Sequence, residues 1–208
     1  MTNFINLISN TADSFESIIQ NSCSNLQEIP TEDFGWINIR YQSDQFRMAH
    51  IERFEQPQFS VLHTVIFPHV NDPSPIFGFD IIASDTKATG VFFDLSPTLE
   101  HWGPMTDLKF SNPRERPSWG EIFSPDWIAC RPSFEEAETI TKLACQTLTS
   151  YLTKLNTTTS SNIGEIMQLQ NRYSINQRQN EHTTRVLFKI LGPERGKYFV
   201  ENILFPTV

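Results

Sequence analysis

Apolar and polar positions alternate through much of residues 34–132, whereas apolar positions recur at helical spacing towards both ends of the chain. Alternation among β-branched and aromatic residues, bounded by turn residues, predicts β-strands. Six strands are predicted: two within residues 34–53, then 59–68, 76–83, 90–95 and 127–132. The connections within residues 34–95 are too short for crossover helices, so the sheet should be antiparallel.

Helical spacing of apolar residues predicts helices before and after these strands. The predicted helices cover residues 1–28, 133–155, 168–191, interrupted near 177–180, and 193–204. Ser133 followed by Glu135 and Glu136 is typical of a helix start, because carboxylates are favourable at the positive N-terminus of a helix. Residues 98–119 and 156–162 are predicted as loops, the first with a short helical piece. The pattern therefore predicts one antiparallel sheet in an α/β fold, with helices on both faces.

Composition narrows the class of protein. The length of 208 residues suits one domain, residues 1–208, and the net charge of -8 argues against a general nucleic-acid binder. The three cysteines, Cys23, Cys130 and Cys145, have neither paired nor CxxC spacing, and no signal peptide precedes them, so a cytoplasmic protein with reduced thiols is expected. No stretch approaches the roughly 20 apolar residues that cross a bilayer, so no membrane partner is expected. The 17 phenylalanines fit either an aromatic core or a pocket for a flat apolar ligand.

Two ionisable residues, His63 and Asp80, stand in otherwise apolar predicted strands. Adjacent antiparallel strands joined through residues 68–75 would bring them together on one face of the sheet. A carboxylate among apolar neighbours is costly unless it is paired or protonated. The two residues are therefore either a structural ion pair or a pair suited to sharing and delivering protons.

His50 and Glu52 lie two residues apart on the preceding predicted strand, so their side chains share one face. That face is either solvated or continuous with the face of His63 and Asp80. The same four residues are of metal-ligand type, but no HxxxH or HExxH spacing supports a metal site. Glycine-rich nucleotide-binding motifs and the GxSxG motif of serine hydrolases are absent from the sequence. The polar segment 171–182 is either a solvated helix or a polar wall over a ligand.

Several segments, taken in order over roughly residues 34–208, resemble the ferredoxin-dependent bilin reductases. The segments that carry the resemblance are 46–52, 62–68, 75–83, 94–97, 119–124, 131–133, 179–181 and 184–205. Within that family, the closest resemblance is to the phycocyanobilin:ferredoxin oxidoreductase branch, and the short loops resemble its compact, virus-type members.

The resemblance implies a three-layer α/β/α sandwich with a central antiparallel β-sheet, and a bilin bound between the sheet and the C-terminal helices. It implies Asp80 and His63 as the proton-handling pair, with Glu52 as an accessory proton donor. The substrate-binding residues that it implies are His50, Thr89, Arg131, Asn180, Glu181, His182 and Val186. Two of these depart from the branch, which usually has Asp at the position of Glu181 and Lys at the position of His182.

The resemblance further implies reduction of biliverdin IXα to a phytobilin through bilin radicals, without a permanently bound cofactor. Electrons would come from a reduced 2Fe–2S ferredoxin and biliverdin from a haem oxygenase, and a monomer is expected. The candidates for docking the acidic ferredoxin are Arg114, Arg116, Lys189, Arg195 and Lys197. The product, phycocyanobilin or phycoerythrobilin, is left open. A non-enzymatic bilin carrier or lyase, and an adaptor that binds no pigment, are the alternatives to an enzyme.

Overall fold

An antiparallel sheet forms the centre of the computed structural model, which describes residues 3–57 and 59–208. Within these residues, seven strands run across the sheet in chain order: β1 Gln27–Glu28, β2 Ile37–Gln42, β3 Phe46–Gln56, β4 Phe59–Pro68, β5 Ile76–Ala83, β6 Ala88–Ser96 and β7 Ile128–Cys130. Every strand pairs with the next, so the sheet is a meander without crossovers. The predicted strands 59–68 and 76–83 are confirmed residue for residue.

The helices of the described residues lie before β1 and after β7. They are α1 Phe4–Ser22, α2 Phe134–Lys154, α3 Ile163–Gln177, α4 Glu181–Leu191 and α5 Pro193–Tyr198, and α5 continues into a π-helical turn, Phe199–Leu204. A 3₁₀ turn, Gly120–Ile122, lies in the long connection between β6 and β7. None of the helices in the described part combines the length and the apolar character that a membrane span needs.

The helices form one layer on each face of the sheet. On one face, α1 and α2 pack on alternate strand residues, and Phe15 of α1 meets Phe79 of β5 edge to face at 5.2 Å between ring centroids. On the other face, Tyr173 of α3 meets Phe67 of β4 at 5.7 Å, and Phe199 is fully buried in the same cluster. Burying one such side chain stabilises the folded protein by about 1.5–3 kcal/mol. The predicted three-layer α/β/α sandwich is confirmed.

Local hydrogen bonds explain where the helices begin. Ser133 and Glu136 form a reciprocal capping box at the start of α2, as the acidic residues after Ser133 indicate. Asn180 accepts from the backbone N–H groups of His182 and Thr183 and so starts α4. The interruption predicted near residues 177–180 is therefore confirmed, and its cause is a new N-cap rather than a bend.

Three predicted boundaries are wrong. The first helix ends at Ser22, and Gln27–Glu28 pairs with β2 instead of continuing the helix, after a left-handed turn at Asn25 with φ 52°. The first two residues of that predicted helix lie outside the described residues. The helix predicted from residue 168 begins at Ile163, and β7 ends before Pro132, which has no N–H to donate to a neighbouring strand.

Candidate active site

A row of polar side chains crosses the sheet on the face that α3–α5 cover. The register places Asn38 of β2 opposite Glu52 of β3, Glu52 opposite His63 of β4, and His63 opposite Asp80 of β5. Directly opposite residues in neighbouring strands point to the same face, so the four side chains stand side by side. Phe92 of β6 continues the row with an aromatic ring. The face that carries His63 and Asp80 therefore also carries Glu52, which the sequence left open.

His63 and Asp80 form the closest contact of this row. Nδ1 of His63 donates to Oδ1 of Asp80 at 2.7 Å, and their side chains are 9% and 34% exposed. Burial alone would lower the pKa of His63, but the charge of Asp80, its hydrogen bond and the charge of Glu52 together raise it above the ordinary value. The pairing with Asp80 therefore favours the protonated form of His63, and Asp80 reaches further towards solvent than its partner.

Glu52 is buried and meets the indole of Trp36, whose Nε1 donates to Oε1 at 2.7 Å. Burial raises the pKa of Glu52 to about 7, although the positive charge of His63 and the Trp36 hydrogen bond act in the opposite direction. Glu52 is thus a second group that can carry a proton at neutral pH, and Oε2 is the oxygen left to deliver it.

His50 lies beside this row and is fully buried. Its Nε2 lies 3.0 Å from Oδ1 of Asn38, and its ring meets that of His63 at 5.9 Å between centroids. Burial lowers the pKa of His50 well below its ordinary value, and the charges of His63 and Arg40 lower it further. The surroundings of His50 therefore favour its neutral form, whereas those of His63 favour its charged form. Nδ1 of His50 and Nε2 of His63 are both buried without a partner among the described residues.

A cavity of about 670 Å³ opens beside the row, between the sheet, the β6–β7 connection and helices α3 and α4. Its floor includes Glu52, His63 and Asp80. Its walls are mainly apolar and aromatic, and the aromatic residues on this face that line it are Phe54, Phe59, Phe92, Trp119, Phe123, Trp127, Tyr173 and Phe205. A hollow of this size with apolar walls and a few convergent polar groups is typical of a site for a small organic ligand.

The β6–β7 connection is fastened to the sheet by a buried carboxylate. Asp94 of β6 accepts from the backbone N–H and the hydroxyl of Ser124 and from the hydroxyl of Ser96. Arg116 donates to the backbone carbonyls of Phe123 and Ser124. These bonds satisfy a carboxylate that would otherwise be costly to bury, and they hold the aromatic wall in place.

Arg114 places a positive charge at the cavity. Its guanidinium lies 5.0 Å from the centroid of the Phe92 ring and donates to the backbone carbonyl of Thr89 at 3.1 Å. No carboxylate among the described residues forms a salt bridge with it. The structure therefore provides a cation at the cavity wall that can pair with an acidic group of a ligand.

Most of the sequence-predicted site residues lie at this cavity. Besides Glu52, His63 and Asp80, the cavity is lined by Thr89, Asn180, His182 and Val186. Asn180 uses its Oδ1 to cap α4, so its amide nitrogen remains as the donor for a ligand. Thr89 donates its hydroxyl to the carbonyl of Ile82 at 3.1 Å, which leaves its oxygen as an acceptor.

Three predicted residues do not line the cavity. His50 is sealed behind His63, and the side chain of Glu181 is 90% exposed and faces Arg185 at 3.9 Å. Arg131 is exposed beyond the end of β7, where its backbone N–H donates to the carbonyl of Asn112. The resemblance assigns a propionate contact to Arg131, whereas the structure brings Arg114 to the cavity instead. The roles predicted for these three residues stay predictions.

Several residues at the site carry no signal that sequence reasoning could use. Trp36, just before β2, and Asn38 of β2 reach Glu52 and His50 on β3, and only the strand register reveals these contacts. Tyr173, bonded to the amide of Gln177 at 3.0 Å, closes the cavity from α3. In residues 3–57 and 59–208, no group of three or more His, Cys, Asp or Glu is arranged to hold a metal ion.

Comparisons with known proteins find similar proteins that match most of the chain. A family model described as ferredoxin-dependent bilin reductase matches residues 7–206. A phycocyanobilin:ferredoxin oxidoreductase from Trichodesmium erythraeum is 31% identical over 189 residues, which cover 82% of this chain and 76% of the relative. Another from Prochlorococcus marinus is 32% identical over 190 residues, with 84% and 76% covered.

Solved structures of two proteins share the fold. The structure of a protein named PcyX superposes with a TM-score of 0.68 at 26% identity, covering 96% of this chain and 98% of that one. Phytochromobilin synthase from tomato, solved in complex with biliverdin, gives a TM-score of 0.71 at 15% identity, covering 93% and 80%. The second likeness shows the shared fold alone.

Proposed function

Because the chain belongs to the ferredoxin-dependent bilin reductases, we propose that it reduces biliverdin IXα to a phytobilin with electrons from a 2Fe–2S ferredoxin. The observation that carries this proposal is the His63–Asp80 pair on the floor of an aromatic cavity of about 670 Å³. A cavity of roughly 300–1,000 Å³ suits a ligand of this size. The aromatic walls provide faces for a flat conjugated system.

Binding would use the polar groups at the cavity wall. Biliverdin carries two propionates, pyrrole N–H groups and two lactam carbonyls. Arg114 would form a charge-assisted pair with one propionate, and the freed amide nitrogen of Asn180 would donate to a carbonyl. His182 and Thr89 would contact the remaining polar groups at the rim, with Val186 against a ring. The predicted propionate contact of Arg131 would need the end of β7 to move.

Reduction of one double bond takes two electrons from two reduced ferredoxins and two protons from the protein. The conjugated ligand accepts the electrons one at a time and passes through a radical. The protein itself must therefore position the bilin, protonate it and exclude water from it. Asp80 would protonate the lactam region, with His63 sharing and replacing the proton. Glu52 would protonate near an exocyclic vinyl group. The pKa of Glu52, raised to about 7, supports it as a proton carrier near neutral pH, and the raised pKa of His63 favours the protonated form of that ring.

We propose a four-electron product, and the site leaves two candidates. Glu52 on the cavity floor favours reduction of a vinyl group and hence phycocyanobilin. The changed polar residues Glu181 and His182 favour phycoerythrobilin, as in compact members of the family. Extraction of the pigment and chromatography against both standards distinguishes them.

Ferredoxin would dock through a local basic patch, in spite of the net charge of -8. Lys189 and Lys197 are exposed, whereas Arg195 already pairs with Glu32 and Arg116 is bonded to backbone carbonyls. We therefore expect Lys189 and Lys197 to contribute most. Higher salt should raise the apparent KM for ferredoxin, since screening weakens attraction between exposed charges. Supply of biliverdin by a haem oxygenase, a monomeric state and a cytoplasmic location complete the proposal.

One experiment tests the activity against its alternatives. Purified protein is mixed with biliverdin, its absorption spectrum is recorded without oxygen, and reduced ferredoxin is then added. A reductase binds the pigment, passes through intermediates and ends at a new pigment. A carrier or lyase shifts the spectrum once and stops, and an adaptor does neither. Either of the last two results would overturn the proposal.

A further inference from the structure

Two side chains at the start of β2 contact the polar row from the edge away from β5. They are Trp36, just before the strand, and Asn38 within it. Nε1 of Trp36 donates to Glu52, and Oδ1 of Asn38 lies 3.0 Å from Nε2 of His50. Neither Trp36 nor Asn38 lines the cavity. We infer that Asn38 is a positioning residue, which holds His50 in the tautomer that carries its proton on Nε2 and leaves Nδ1 as an acceptor.

A second hydrogen bond fixes the orientation of the Asn38 amide. Its Nδ2 donates to the backbone carbonyl of Trp36 at 3.3 Å. An amide rotated by half a turn would set its own oxygen against that carbonyl oxygen, and two acceptors would face each other. Oδ1 is therefore the atom that faces His50. Because Oδ1 can only accept, Nε2 of His50 must donate and so carries the proton.

The surroundings of His50 keep it neutral. The charged and titratable groups around its ring are Arg40, opposite on β2, Glu52 on its own strand, His63 on β4, and Asp80 beyond it on β5. Burial lowers the pKa of His50 well below its ordinary value, with further lowering by His63 and Arg40. A neutral imidazole with its proton on Nε2 has a lone pair on Nδ1.

His63 has the complementary arrangement. Its Nδ1 is committed to Asp80, and its Nε2 is buried without a partner among the described residues. As an imidazolium, His63 carries an N–H at that nitrogen. The two rings therefore offer one donor and one acceptor at 5.9 Å between centroids. In the opposite tautomer His50 would carry its proton on Nδ1. The two rings would then offer two N–H donors and no acceptor to each other.

The consequence for catalysis rests on the proposed function. Asn38 would let the lone pair on Nδ1 of His50 accept a hydrogen bond from the side of His63 and so help to set the protonation of the His63–Asp80 pair. Loss of an outer hydrogen bond that orients a metal-bound histidine typically costs about 10–100-fold, and we expect a similar range here. Because Asn38 does not line the cavity, Asn38→Leu should lower kcat by about tenfold or more and leave KM for biliverdin unchanged.

The direct test is ¹⁵N NMR of the histidine rings in the pigment-free protein, with His50 assigned from a His50→Gln variant. We expect His50 of the wild type to be neutral at pH 7, with the proton on Nε2. Asn38→Asp keeps an acceptor oxygen and should keep this tautomer. Asn38→Leu should move His50 to a mixture of tautomers. A proton on Nδ1 in the wild type, or no change in Asn38→Leu, would overturn the inference.

A matched control lies on the same strand. Gln42 is exposed and its side chain donates to that of Gln27 on β1, away from the polar row, so Gln42→Leu should leave both the His50 tautomer and kcat unchanged. If Asn38→Leu does not fold, the wild-type tautomer and the Asn38→Asp variant still decide the question. Failure of the proposed function is distinguishable, because a protein that reduces no bilin can still show the assigned tautomer. A reductase with the other tautomer defeats only the inference.

Discussion

The two faces of the same sheet differ in packing and polarity. Towards α1 and α2, neighbouring strands present Ile51, Leu62, Phe79, Ile81 and Phe93, which are all within 1% of complete burial in a closed apolar core. Towards α3–α5, the residues between them form the polar row, which borders a hollow of about 670 Å³. Because strand side chains alternate between faces, each strand supplies both the rigid core and the reactive site.

A site with buried ionisable groups needs a well-packed layer behind it. The apolar face holds the strand register, and the register alone brings Glu52, His63 and Asp80 side by side. A slip of one residue would exchange the two faces and bury three ionisable side chains under α1 and α2. The stability of the protein therefore depends mainly on one face and its chemistry on the other, and substitutions on each face should separate these effects.

The largest expected effect is on the polar face. Asp80→Asn keeps the shape of the side chain but removes its proton chemistry, so turnover should fall by about 10²–10⁴-fold. Bilin binding should persist, because the cavity is unchanged, and the complex should remain coloured. Steady-state turnover and the absorption spectrum of the complex measure both. Asp107→Asn, in the exposed β6–β7 connection, serves as the control and should turn over normally. Wild-type turnover in Asp80→Asn would exclude Asp80 as the proton donor.

A substitution on the packed face should act on stability instead. Phe79→Ala removes a fully buried ring between Phe15 and Phe93 and should cost about 3–5 kcal/mol of unfolding free energy. Phe92 lies on β6 opposite Asp80, on the cavity face. Phe92→Ala should cost less than half as much unfolding free energy, because that ring borders a hollow and is half-buried. Urea unfolding of the pigment-free variants measures both. Equal losses would contradict the contrast between the faces.

The pH dependence of stability should report on Glu52. Its pKa is about 7 in the folded protein against 4.5 as the ordinary value, so the folded state holds the proton more tightly than the unfolded state. The stabilisation from that proton is complete below about pH 4.5 and is lost as pH rises through about 7, by at most about 3 kcal/mol. Glu52→Gln cannot titrate. Its unfolding free energy should therefore fall less than that of the wild type between pH 5 and 8, and parallel curves would refute the raised pKa.

The smallest expected effect is at the cavity wall. Arg114→Gln should raise KM for biliverdin by about tenfold, since it removes one charge-assisted bond to a propionate at a partly exposed site. Arg131→Gln should have no effect if the propionate binds at Arg114. The reverse result would restore the contact that the resemblance assigns to Arg131, and would require the end of β7 to reach the ligand. Both values come from the same steady-state assay.

The sequence predicted the sheet well because its strands alternate between an apolar and a mixed face, and short turns fix their order. The pairing of His63 with Asp80 followed from the same pattern, since two strands joined by residues 68–75 must lie side by side. The predicted N-terminal helix extends too far because residues 23–28 keep apolar spacing through Leu26, while pairing of Gln27–Glu28 with β2 is a non-local contact.

The rest of the site depends on contacts that local patterns do not contain. Arg114 reaches the cavity because Asp94 fastens the β6–β7 connection through Ser124, which is 30 residues away along the chain. Trp36 and Asn38 act on Glu52 and His50 across strands, and neither differs in its local sequence from an ordinary strand residue. Such residues become visible only when the register is known.

The most direct test of the central claim is a crystal structure of the wild-type protein with oxidised biliverdin. The bilin is expected in the cavity between the sheet and α3–α4, with a pyrrole N–H or a lactam oxygen within hydrogen-bond distance of Asp80 or His63 and a propionate at Arg114. A bilin bound on the α1–α2 face, or one held in the cavity without contact to either residue of the pair, would contradict it.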